Sequence, residues 1–102
     1  MINITEIRIT PRGDDRLRAF VSITLDGCFV VRGLKIIEGK QGRLFVAMPS
    51  RKKPDGTYQD VAHPITPDFR NHLEDLVIGE YTRLLQSGAL ATMDRGADEG
   101  DF

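Results

Sequence analysis

Leu17-Arg18-Ala19-Phe20-Val21-Ser22-Ile23-Thr24-Leu25-Asp26-Gly27 is the stretch that decides the fold class. Leu17, Ala19, Val21, Ile23 and Leu25 alternate with Arg18, Phe20, Ser22 and Thr24. That two-residue period sends one set of side chains to each side of a pleated strand. Asp26-Gly27 then tolerates the positive φ of a tight turn between twisted strands, so a hairpin partner should follow at once. The partner, Cys28 to Ile37, is apolar almost throughout, which fits a strand covered on both faces or one at a subunit interface. Gly33 inside it marks a bulge or a bend.

Toward the amino terminus, residues 2 to 9 read as a strand whose apolar phase switches. Ile2 and Ile4 share one phase, Ile7 and Ile9 the other, so a bulge is expected near Thr5-Glu6. Pro11, Gly13 and Asp14-Asp15 read as the turn that follows. Toward the carboxy terminus, Gly39-Lys40-Gln41-Gly42 closes the third strand. Leu44 to Met48 opens a fourth that stops near Pro49, which has no N–H to give to a ladder. Pro54-Asp55-Gly56 is turn chemistry, with a short returning strand over Tyr58 to Ala62. Thr66-Pro67-Asp68 then opens a helix, with a hydroxyl cap, a proline at the first position and an acid near the positive end of the dipole. Phe69, Leu73, Leu76, Val77, Tyr81, Leu84 and Leu85 give apolar spacings of three and four, so the helix runs to about Gln86. Gly79 within it costs about 1 kcal/mol relative to Ala, which predicts a close packing contact there.

The fold class is therefore α+β: a single small domain, an antiparallel β-sheet with a carboxy-terminal α-helix packed on it. It occupies residues 1–87, and residues 88–102 form an acidic tail expected to be disordered. A chain of 102 residues, 40% hydrophobic and 28% charged, holds one domain with a modest core, so dimerisation would add burial that the monomer lacks. The net charge of −1 conceals an asymmetry: residues 88–102 carry four acids and one base, leaving 13 bases and 11 acids before them. No apolar run is long enough to cross a bilayer, and Met1-Ile2-Asn3-Ile4 lacks the basic start of an export signal. Cys28, the only cysteine, cannot make an intrachain disulfide and reads as a small apolar residue in a reducing compartment. The expected location is cytoplasmic, with no membrane partner.

Phe45-Val46-Ala47-Met48-Pro49-Ser50-Arg51-Lys52, followed by Pro54-Asp55-Gly56 and then Asp60-Val61-Ala62-His63-Pro64-Ile65, resembles the stage V sporulation protein G (SpoVG) family. Ser-Ile-Thr-Leu-Asp at Ser22 to Asp26 supports the likeness, which runs from residue 2 to about residue 85. The resemblance implies an antiparallel sheet with a carboxy-terminal helix, a homodimer, and nucleic-acid-binding regulation tied to sporulation or septation.

Arg51-Lys52-Lys53 is the only run of three like charges and flanks a turn between two short strands. An arginine fork clamps phosphate or reads guanine, and two protomers would present about six positive charges, enough for salt-dependent, weakly sequence-specific binding. The plainer reading is a solvated hairpin. Arg16 and Arg18, on the polar side of the second strand, either extend that surface or are its wet face. Tyr58 beside the basic run is balanced between packing and contact, whereas Phe29, Phe45 and Tyr81 sit in apolar patterns and read as core rather than base-stacking platforms.

Asp60 and His63 have the types for an acid–base or metal pair, but no third ligand or nucleophile accompanies them by motif. His63 is read instead as satisfying backbone groups before the helix. Asp68, His72 and Asp75 share a helical face as exposed polar residues. The glycines match neither the dinucleotide fingerprint nor the P-loop, and Ser22 and Ser50 have no nucleophile-elbow context. No catalytic residue, metal, cofactor or small-molecule substrate is expected. The expected role is a nucleic-acid-binding regulator, with DNA first and RNA second as partner, and Arg51, Lys52 and Lys53 as the contact residues. The alternative is a protein-interaction module in septation or cell-division control without direct nucleic-acid contact.

Overall fold

The computed structural model describes residues 1–88. Four strands, β1 (Ile4–Asp14), β2 (Leu17–Leu25), β3 (Phe29–Glu38) and β4 (Leu44–Ala47), form an antiparallel meander in the order β1-β2-β3-β4. A separate two-stranded ribbon, β5 (Ser50–Lys52) and β6 (Tyr58–Asp60), leads to helix α1 (Pro67–Ser87). The α+β class, the antiparallel sheet and the carboxy-terminal helix packed on it are as expected.

The β2–β3 turn has positive φ at both central residues, Asp26 at 51° and Gly27 at 65°. The Cys28 N–H closes it on the Leu25 carbonyl at 3.0 Å, the hairpin geometry that matches strand twist. The bulge expected near Thr5-Glu6 is present as a register shift between Ile4 and Glu6. It aims the Thr5 hydroxyl at the turn, where it accepts from the Gly27 N–H at 2.9 Å and donates to the Thr24 carbonyl at 3.3 Å. Gly33 sits in a second register shift with a φ of 88°. A β-carbon there would stand 3.3 Å from Pro49 Cβ, so both backbone and space call for glycine.

The core lies between one face of the meander and the helix. Ile9, Ala19, Val21, Ile23, Leu34, Ile36, Val46 and Met48 meet Leu73, Val77 and Tyr81. Thr66 caps α1, its hydroxyl accepting from the Phe69 N–H at 3.2 Å, and Gly88 ends it in the left-handed conformation at a φ of 78°. Burial pushes the Tyr81 phenol up. Near it Arg18 pairs with Glu38, Nε donating to Oε1 at 2.8 Å, and that hydrogen bond holds the guanidinium pKa above its ordinary value. The helix also closes a sheet edge, with the Glu74 carboxylate accepting from the Val46 N–H at 3.3 Å.

Several expectations are corrected. β1 does not stop before Pro11; it continues to Asp14, with Pro11 paired to Ala19 and the turn at Asp15-Arg16. An edge strand admits proline because one of its sides needs no ladder partner. Cys28 is not packed away but exposed in the turn. Phe29 is 63% exposed and Phe45 42%, so neither is a core residue, because the helix covers only one side and part of the length of the sheet. Gly79 makes no close contact: nothing lies within 4 Å of a β-carbon built there. Leu76 and Leu85 are also exposed, since α1 buries Leu73, Val77 and Tyr81 in the core and packs Phe69, Ile78 and Leu84 at its edge. The expectation for residues 88–102 falls, beyond Gly88, outside the described residues. Among the described residues no helix is long and apolar enough to cross a membrane.

Candidate functional site

The basic run lies on the ribbon. Arg51 pairs with Gln59 and Lys52 with Tyr58, while Lys53 starts the turn. The turn is built by Pro54-Asp55-Gly56: the Gly56 N–H donates to the Lys53 carbonyl at 2.9 Å, and the Lys53 N–H to the Thr57 carbonyl at 2.7 Å. Gly56 takes a φ of 92°, as the residue after such a turn requires. Asp55 latches the tip, its carboxylate accepting from the Thr57 hydroxyl at 2.7 Å and the Thr57 N–H at 3.0 Å. These bonds, the hydroxyl's first, hold the Asp55 carboxyl below the usual carboxylate range.

Every residue from Ser50 to Asp60 is exposed. Arg51, Lys52 and Lys53 form no ion pair with any carboxylate of the described residues. Asp55 is tied up at the tip and Asp60 lies opposite Ser50 at the base, so the three cations occupy the length between them. Tyr58 is 69% exposed and directly opposite Lys52, which resolves its position in favour of a surface ring. The arrangement offers charge, a planar guanidinium and an aromatic side chain on a short projecting strand pair, a shape suited to a phosphate backbone or a groove edge.

The other candidates separate. Arg18 is engaged by Glu38 and so does not extend the basic surface, whereas Arg16 is exposed in the β1–β2 turn. His63 Nδ1 lies 3.0 Å from the Pro64 carbonyl, the backbone role expected of it, and no hydrogen bond joins it to Asp60. His72 stacks obliquely near Phe69, with ring centroids 6.0 Å apart. Among the described residues no three His, Cys, Asp or Glu gather as a metal site would require. Tyr81 is buried, as expected.

Two features went unread in the sequence. One is the helix-free side of the sheet, where Phe45 emerges; the alternation that put Phe20 among polar residues was its only signal. The other is an apolar cleft of about 390 Å³ between the β2–β3 end of the sheet and the start of α1. Ile23, Leu25, Val31, Met48 and Phe69 line it, and Ile65, 88% exposed, stands at its rim. No periodicity signals it, because it forms where α1 stops short of covering the sheet.

The family model described as SpoVG matches residues 2–83. Relatives named "Putative septation protein SpoVG" include that of Myxococcus xanthus, 47% identical over 95% of this chain and 100% of the relative. That of Bdellovibrio bacteriovorus is 51% identical over 84% of this chain and 79% of the relative. That of Bacillus velezensis is 45% identical over 94% and 99%.

Proposed function

The chain belongs to the SpoVG family, and from that premise we propose that it is a homodimeric nucleic-acid-binding regulator acting in septation or sporulation control. In this reading the β5–β6 ribbon makes the contact. The observation that carries it is the exposed triplet Arg51, Lys52 and Lys53, lifted off the main sheet on a ribbon and unpaired with any described carboxylate. A cation held by a carboxylate releases little on meeting a phosphate. An unpaired one displaces condensed counterions, and that displacement drives binding. Lys52 and Lys53 supply point charges, Arg51 a fork, and Tyr58 a ring beside them. DNA is the first partner to try, RNA the second.

The test is binding of labelled DNA and RNA across a salt series, comparing the native chain with Arg51→Ala, Lys52→Ala and Lys53→Ala combined. Weaker binding and a flatter dependence of log K on log salt are expected, by up to about 0.9 for each duplex phosphate that is no longer neutralised. Equal binding by both chains would remove the ribbon from the interface.

The apolar cleft favours a second reading, a protein-interaction module without nucleic-acid contact. Lined by side chains such as Leu25, Val31 and Phe69, it is a surface a protein partner would cover. Absence of binding by the native chain to either nucleic acid would select it.

A further inference from the structure

The meander has a second face, opposite α1. Thr10 pairs with Phe20, Phe20 with Lys35 and Lys35 with Ala47, and Ile37 pairs with Phe45. Partners in register point to the same side, and their neighbours Val21, Ile36 and Val46 are buried on the helix side. Phe20, Lys35, Ile37 and Phe45 therefore share the opposite one. Phe45 rests against the backbone of Gly39, where a β-carbon would come within 3.2 Å of its ring, yet the residue stays 42% exposed. Its orientation is thus set by packing while part of it faces water.

Cations are interleaved with these rings. Lys35 and Arg43 have no ion pair among the described residues, and Arg43, exposed, lies just before β4, two residues ahead of Phe45. Arg8 pairs in register with Ser22, two residues from Phe20. The Arg12 guanidinium already lies 5.5 Å from the Phe20 ring centroid, so a flat cation on an aromatic ring is part of this surface. Acids are fewer, Glu6 standing 3.5 Å from Arg8 and Asp14 3.5 Å from Arg12.

An exposed ring for a base, Phe45, and cations for phosphates on the helix-free side of an antiparallel sheet are what an unpaired strand requires. A duplex keeps its base faces stacked inside and has no use for Phe45. A second copy docked here about a two-fold axis would bring its own cationic face toward this one, a like-charge contact. We propose that the open sheet face centred on Phe45, with Lys35 and Arg43, binds the bases and phosphates of single-stranded nucleic acid. The inference rests on the reading of the chain as a nucleic-acid binder and names the form it takes: a strand held by the ribbon through its phosphates and by the sheet through its bases.

The chain contains no tryptophan, so Phe45→Trp installs one indole as a reporter. Its fluorescence should be quenched by an oligothymidine of about 12 nucleotides, a length that a small sheet can engage, and not by a duplex at equal occupancy. Phe45→Leu, which keeps apolar bulk and removes the ring, should lower single-strand affinity at least about fivefold, leaving duplex affinity and solution mass unchanged. If Phe45→Leu binds the single strand like the native chain while the ribbon triple variant does not, the sheet site is overturned and the ribbon reading stands. If the native chain binds neither form, both fall. A drop in solution mass with Phe45→Leu would assign the face to contacts between copies and likewise overturn the inference.

Discussion

β2 and β5 are both antiparallel strands, yet they are held in place by different means. In β2, Ala19 and Val21 have no surface left to water and Ile23 almost none. In β5 and β6 all six residues are exposed. The meander is stabilised by burial against α1. The ribbon is stabilised by its ladder and by a tip whose backbone and Asp55 carboxylate close on themselves. A strand that buries nothing imposes no demand on its side chains, so it can carry three adjacent cations that a core strand would expel. Burial against α1 is confined to one face of the meander, and the exposed basic run to the ribbon.

The largest effect that would break this contrast is in the core. Leu34→Ala should cost about 2–5 kcal/mol by urea denaturation, since the side chain is fully enclosed, while the ribbon triple variant should change stability by less than about 0.5 kcal/mol. A ribbon variant as destabilised as Leu34→Ala would show that the ribbon also supports the fold. A smaller effect concerns the helix face that the sheet leaves open. Gly79→Ala should raise stability by up to about 1 kcal/mol, because the position is helical, exposed and empty of neighbours. A decrease instead would mean that another chain covers that face.

The smallest effect belongs to the ribbon tip and has a sign. Asp55 has a lower pKa folded than unfolded, because Thr57 hydrogen-bonds its charged form. The unfolded chain therefore binds that proton more tightly, and the contribution of the latch is present above the ordinary carboxylate value of about 4 and lost as pH falls through the depressed one. The Thr57 amide resonance should report this transition, and Asp55→Asn should abolish it with the Val21 and Val46 amides unmoved. A Thr57 amide that titrates identically in the variant would remove the latch.

Most of the fold was legible because its signals are local. The alternation of β2, the Asp-Gly turn, the phase switch at Thr5, Gly33 and the Thr66-Pro67 cap each follow from backbone geometry that a few residues dictate. The basic run was legible as a candidate for the same reason: three like charges beside a Pro-Asp-Gly turn. What escaped depends on which surface meets which. Phe29 and Phe45 look like core until α1 is seen to cover one side of the sheet. Arg18 looks like a surface cation until Glu38, twenty residues away, takes it. Gly79 looks closely packed until its side of α1 proves open. Pro11 looks like a terminator unless β1 is known to be an edge.

The most direct measurement of the division between the buried stabilising face and the exposed binding surfaces is backbone amide shift mapping of the isotope-labelled chain during titration with a single-stranded oligonucleotide. If the division holds, the amides between Ser50 and Asp60 move in saturable fashion, together with those around Phe45, while the core amides of Val21 and Val77 stay in place. Shifts confined to the cleft about Leu25, Val31 and Phe69, with the ribbon amides still, would contradict it.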